Sequence, residues 1–185
     1  MKKGLIAVIA VVAVLIISCI GGYNSLVSKE TTVEEQASNI DTQLQRRADL
    51  IPNLVSTVKG YTDHETEVFA AVNEAREKLM SAGTMAEKSE ANDQVSNALG
   101  KLIAIAENYP ELKSDTVYIN LMDELAGTEN RISYARKSYN EAVASYNKAI
   151  KKFPGVLFAN MFGFEKADMF EAAEGAETVP EVSFE

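Results

Sequence analysis

Cysteine and histidine each occur once and tryptophan not at all in this sequence of 185 residues. The first two shortages remove whole classes of chemistry. A lone Cys19 excludes an intramolecular disulfide and a multi-cysteine zinc site, and a lone His64 removes most histidine-based metal sites and catalytic pairs. The missing tryptophan carries no functional reading. Positive charge is also in short supply: 18 Lys and Arg against 27 Asp and Glu leave a net charge of -9 and a pI near 4.8. The basic clusters Lys2-Lys3, Arg46-Arg47 and Lys151-Lys152 are too short to draw nucleic acid, or anionic lipid for the chain as a whole, against that balance. No nucleic-acid partner is expected. A chain of this length with 46% hydrophobic residues can bury one sizeable core.

What is present begins with "GLIAVIAVVAVLIISCIGG", residues 4–22, a run without a charge. At about 1.5 Å per helical residue it is roughly 28 Å long, close to the thickness of a bilayer hydrocarbon core. Lys2 and Lys3 precede it and Tyr23 follows at the level of an interfacial aromatic. The bias of positive charge to the amino end predicts a single pass, with the amino terminus in the cytoplasm and the following domain outside. A cleaved secretory signal would have a shorter apolar region of about 7–15 residues, so an anchor over residues 1–29 is the expected organisation. The stretch "IISC", residues 16–19, also resembles a bacterial lipobox, in which Cys19 would be lipidated; the alternative is a small apolar residue within a spanning helix. Either route keeps the protein on a membrane.

From Val33 the apolar residues recur in steps of four and three: Ile40, Leu44, Ile51, Leu54, Val58, Tyr61, Val68, Val72 and Leu79 share one stripe, interrupted by Arg47 and Glu65. This predicts one long helix, or two nearly collinear ones, ended by "SAGT" with Gly83 as a cap. Pro52 removes the hydrogen bond to the carbonyl of residue 48 and is expected to bend the helix there. A second helix is predicted from about Ala86 to Asn108, with Val95, Leu99 and Leu102 facing inward, stopped by "NYPELKSD". A third runs from about Thr116 to Phe153 on a stripe that includes Tyr118, Leu125, Thr128, Ile132, Tyr139 and Tyr146. No segment alternates as a strand would. The expected class is all-α: an amino-terminal membrane helix followed by a bundle of long antiparallel helices over residues 30–170, with coiled-coil-like seams.

The stretches "GYNSLV", "QLQRRADLIPNLVSTVKGYTDHE", "ENYPELKSD", "TENRISYARKSYNEAVASYNKAI" and "FPGVLFANMFGF" occur in this order from Gly22 to Phe164. Together they resemble the LemA family of bacterial membrane proteins. The resemblance implies an amino-terminal membrane segment and a bundle of long helices, and it implies no established enzymatic activity. Many members carry a small residue and a cysteine directly before "GYN"; here Ile20 and Gly21 intervene, a departure that tells against lipidation of Cys19.

Catalytic and metal-binding patterns are weak. A ferritin-like metal site needs paired Glu-x-x-His motifs on two helices, whereas the residue three before His64 is Tyr61. Glu65, Glu124 and Glu129 read as solvated or ion-paired carboxylates, and the serines and tyrosines lack a base to activate them. No enzyme activity, metal or cofactor is expected. The residues that stand out are polar ones on apolar faces: Arg46, Arg47 and Pro52 in the first helix, Glu65, then Glu129 and Arg136 in the third. Tyr139-Asn140 and Tyr146-Asn147 repeat at seven residues and share a helix face. They read as a structural seam or as a ladder that binds a partner helix or peptide. The apolar segment 153–170 is broken by Pro154-Gly155 and Gly163, and is expected either to cap the bundle core or to dock on another protomer or partner. Residues 171–185, with five glutamates and no basic residue, are expected to form an acidic flexible tail. The functional expectation is a non-enzymatic, membrane-anchored interaction or scaffold protein of the bacterial cell envelope, its partners being the membrane, other membrane or envelope proteins, or copies of itself. The alternative is an accessory or substrate-presenting factor for a membrane enzyme such as a peptidase.

Overall fold

A computed structural model describes residues 2–62 and 64–170, apart from the side chains of Lys2, Lys3 and Leu15. The acidic stretch 171–185 lies outside the described residues. The described residues form α1 (Lys2–Lys59), α2 (Thr66–Ser81), α3 (Met85–Ala106), α4 (Pro110–Lys113), α5 (Thr116–Lys151) and α6 (Gly155–Phe162), with no strand among them. The class is all-α, a long apolar amino-terminal helix followed by a helical bundle.

Helix α1 carries the apolar run and continues for 58 residues through Pro52. It is long and apolar enough to cross a membrane by length and composition. Leu5, Ile9, Val14 and Ile17 stand exposed along it, Ile17 at 70%.

Residues up to Ser38 with Lys137–Asp168 make one compact unit, and Asn39–Arg136 form the body of a second. In the second unit the buried core draws Ile40, Leu44, Ile51, Leu54 and Val58 from α1, Phe69, Val72 and Leu79 from α2, Val95, Leu99 and Leu102 from α3, and Leu125 and Ile132 from α5. Such side chains, at about 1.5–3 kcal/mol each when fully buried, hold the helices together without fixing their register.

Of the two expectations for the stretch to Leu79, one long helix or two nearly collinear ones, the chain forms two helices, and they are not collinear. After Lys59 the chain turns at Gly60–Thr62 on bonds to the Ser56, Thr57 and Val58 carbonyls. Arg76 of α2 reaches back to Ala48 of α1, so α2 is folded against α1 and is not collinear with it. The apolar stripe misled because its period survives a reversal: Val72 and Leu79 face the core from the opposite direction. Two residues of the stripe fall in the turn. Tyr61 is exposed and donates its hydroxyl to Asp115 Oδ2 at 2.7 Å, and Glu65 sits at the α2 N-terminus, where its carbonyl accepts the Phe69 N–H. Gly83 does not cap α2, whose C-cap is the extended Ala82. Its N–H donates to Glu87 Oε2 at 2.8 Å, and Glu87 completes a capping box with Thr84 that starts α3. Within "NYPELKSD", Pro110 opens the short α4. Asp115 then accepts the N–H groups of Val117 and Tyr118 at 2.7 and 3.0 Å, starting α5.

Pro52 has no N–H, so the Ala48 carbonyl loses the donor an uninterrupted helix would supply. Ala48 is fully buried, and an unpaired carbonyl there would be costly. Arg76 Nε supplies the missing bond at 2.8 Å. Proline in α1 and arginine in α2 thus form one device: the first exposes an acceptor and the second uses it to set where α2 lies along α1.

This coupling is measurable by a double-mutant cycle on urea unfolding of the detergent-solubilised chain. Arg76→Met should cost about 1 kcal/mol, and Pro52→Ala, which restores a local donor, should remove most of that cost. Equal losses in both backgrounds would show that Arg76 acts through something other than the Ala48 carbonyl.

Candidate functional site

The residue beside Ala48 is the interruption in the stripe. Arg47 is only 5% exposed. Its Nη1 donates to Asn92 Oδ1 of α3 at 2.7 Å and to Glu129 Oε2 of α5, and its Nη2 donates to Ser96 Oγ at 3.0 Å. Ser96 in turn donates to the Asn92 carbonyl at 3.1 Å. The Nε of Arg47 is buried without an acceptor. Burial pulls the guanidinium below its ordinary pKa, while the charge and hydrogen bond of Glu129 oppose the shift. Glu129 is half-exposed, so the pair is not sealed from water on its acidic side.

Neighbouring charges complete the junction. Asp93, partly buried, is held above the usual carboxylate range by desolvation first; the positive charges of Arg136 and Arg47 oppose this and Glu129 adds to it. Arg46 points outward and pairs with Glu124 at 2.8 Å across the surface, which keeps the Glu124 carboxyl below its ordinary value. An exposed pair of this kind adds little stability. Pro52 is exposed on α1. Arg47, Glu129 and Arg136 therefore belong to one polar junction, Arg46 pairs with Glu124 at the surface, and Glu65 sits at the α2 N-terminus. The contacts of Asn92, Asp93 and Ser96 were not foreseen, although Asn92 lies three residues before Val95 and Leu99 follows at helical spacing, which puts a polar residue on an apolar face.

In the other unit, the tyrosines and amides at seven-residue spacing have a different task. Tyr139 donates its hydroxyl to the Asp168 carbonyl at 2.8 Å. Asn147 both donates to the Ala167 carbonyl at 2.8 Å and accepts the Ala167 N–H at 3.0 Å. Tyr146 donates to Glu30 Oε1 at 3.4 Å, and burial followed by the Glu30 charge pushes its pKa up to about 12. Asn140 is partly buried, with interactions of its own. The ladder residues thus have partners within this chain. Tyr139 and Asn147 hold residues 167 and 168 by their main-chain groups, much as a peptide would be held. Cys19 is partly exposed within the apolar run. Among the described residues, no group of three or more His, Cys, Asp or Glu side chains is arranged to hold a metal ion.

A helix long and apolar enough to cross a membrane, continuous with a bundle whose polar groups pin its own helices, defines a helical-bundle protein with a candidate membrane span. Comparison with known families narrows the class. The LemA family model matches residues 36–184, and the chain belongs to that family. It is 28% identical to magnetosome protein MamQ 2 of Paramagnetospirillum magneticum, over 96% of this chain and 74% of the relative. MamQ of Magnetospirillum gryphiswaldense is also 28% identical, over 94% and 73%. Protein LemA of Metamycoplasma hominis is 24% identical over 84% of this chain and 71% of its own length.

Two expectations follow from the junction. Replacing Arg47 with Ala should lower unfolding free energy by on the order of 3 kcal/mol through lost packing and broken bonds to Asn92 and Ser96, and Glu129→Ala should cost about 2 kcal/mol or more because it leaves the buried guanidinium without its carboxylate. An Arg47→Ala change below about 0.5 kcal/mol in urea melts would place Arg47 at the surface. Asp93 gives a pH signature. Its raised folded-state pKa means that the folded protein holds the proton more tightly than the unfolded chain does. That contribution is fully present below the unfolded value of about 3.9 and is lost as pH rises through the folded value. Asp93→Asn should therefore stabilise the protein at pH 7, with the gain fading in acid. A gain that grows on acidification would reverse the assignment.

Proposed function

We propose that this protein is a non-enzymatic, membrane-tethered interaction scaffold of the bacterial cell envelope, with its bundle over residues 30–170 on the extracytoplasmic side. The observation that carries this reading is the continuity of α1, which runs without a break from the apolar segment to Lys59 and contributes Ile40, Leu44, Ile51, Leu54 and Val58 to the core of the second unit. A chain of this kind tethers a folded body to the membrane and leaves its outer faces free for partners. The polar groups that stand out in the sequence, Arg46, Arg47, Tyr139, Tyr146 and Asn147, engage groups of the chain itself, so packing accounts for their prominence. The MamQ relatives are named for a cellular structure, the magnetosome, and not for a reaction.

The orientation rests on Lys2 and Lys3 before the apolar run. Protease added to intact spheroplasts should digest the bundle, and full protection would reverse the topology. The scaffold role is tested by affinity capture of the full chain from mild detergent. Stoichiometric recovery of copies of this chain or of envelope proteins without catalytic activity is expected. Reproducible recovery of one membrane enzyme, with its activity dependent on the chain, would replace this reading with that of an accessory factor.

A further inference from the structure

The most apolar exposed surface outside the membrane segment belongs to α6 and the residue before its turn. Phe153 is 80% exposed, Leu157 52%, Met161 67% and Phe162 49%. Leu157 and Met161 lie four residues apart on the outward side of α6 and Phe153 stands exposed in the turn before it, while Phe158 and Ala159 are buried. The helix "GVLFANMF" contains no charged residue. A soluble protein would hide such a stripe.

Its place along α1 says what covers it. The ring of Phe158 lies against Gly22, so closely that a Cβ there would come within 2.1 Å of Phe158 Cε2. The next residue, Tyr23, packs its ring edge-on to Phe162 at 4.8 Å and against Phe164 at 5.7 Å. Gly22 and Tyr23 mark the end of the uncharged run. If that run fills the hydrocarbon core, α6 is held at the boundary between acyl chains and headgroups, with its apolar stripe facing away from α1. Lys151 and Lys152 immediately precede the stripe, and Glu165 and Lys166 follow α6; all four are exposed, at the level where charged groups meet water and lysine stems can lie along apolar surface. With acidic and basic residues both present and a chain that is acidic overall, apolar insertion and not attraction to anionic headgroups is the driving force.

We propose that α6 is an interfacial membrane helix, inserted beside the anchor with Phe153, Leu157, Met161 and Phe162 among the lipid chains, so that the bilayer and not a protein partner covers this face. The proposal rests on the reading of α1 as a spanning anchor. The experiment separates the two. Because the natural chain has no tryptophan, a single Trp at Leu157, Val14 or Lys137 reports one position in the full-length protein reconstituted in phosphatidylcholine nanodiscs. Lipids brominated near the headgroup end of the acyl chain should quench the Leu157→Trp emission at least about twofold, matching a depth of roughly 5–10 Å. Lipids brominated near the chain terminus should quench Val14→Trp most strongly. Lys137→Trp, roughly 21 Å along α5 from its Lys151 end, should respond to neither. Deep quenching at Val14 without shallow quenching at Leu157 overturns the placement of α6 and leaves the anchor standing. Quenching at neither position overturns both. A Leu157→Trp emission that ignores bromine but shifts to the blue as protein per disc is raised would assign the face to a second copy and overturn the lipid assignment.

Discussion

Two consecutive residues of α1, Arg47 and Ala48, are each gripped from other helices, and the packing of the second unit is fixed by that pair. Arg47 reaches Asn92 and Ser96 of α3 and Glu129 of α5, and the Ala48 carbonyl receives Arg76 of α2. Apolar stripes such as Ile40-Leu44-Ile51-Leu54 tolerate a slip of one turn, because the new neighbours are again aliphatic. A slip of one turn is not tolerated by Arg47, since it would leave a guanidinium buried without acceptors. A buried ion is a poor source of net stability. Its effect is to make alternative registers worse, and that effect needs it in the middle of the core.

The first unit solves the same problem with neutral groups. Asn147 exchanges two hydrogen bonds with the backbone of Ala167, and Tyr139 takes the carbonyl of Asp168. These bonds specify a position of the main chain and ignore the side chains at 167 and 168. A segment held in this way can vary in sequence without losing its place, whereas the donors that hold it cannot.

The legible part of the fold followed from periodicity and from punctuation by proline and glycine. The apolar anchor, the start of α5, the break at Pro154-Gly155 and the bend at Gly163, with φ of 78°, all carry local chemical signals. The buried arginine was legible as an exception to a stripe, and its partners in α3 and α5 were not. The reversal at Gly60–Glu65 was not, because a helical period read along one stripe is insensitive to the direction in which the chain runs. Arg76 was invisible for a related reason: it lies off the apolar stripe, and its role exists only because α2 folds back. Asn92 could have been found by extending the α3 face one turn before Val95, and Ser96 lies four residues after Asn92 on the same side of the helix. The repeat at 139–147 read as a structural seam or as a ladder for a partner, and what it holds could not be read from spacing, since a backbone acceptor has no sequence signature.

The position of α6 shows how these constraints combine. At its start, Gly155 lies so close to α5 that a Cβ would come within 2.2 Å of the Ala149 carbonyl oxygen, so the chain can turn there only without a side chain. At its end, Gly163 adopts the left-handed conformation and donates to the Ala159 carbonyl at 2.9 Å, closing the helix. A few residues on, the chain is caught by Asn147. Tied at both ends, α6 has little freedom to move along α1, and its contact with Gly22 is therefore a consequence of where α5 lies. Since α5 lies beside α1 through Lys29–Ser145 and Tyr146–Glu30, the apolar stripe of α6 is carried to the end of the membrane segment by polar bonds made well away from it. The hydrophobic surface decides what α6 can touch, and the polar groups decide where it can touch it.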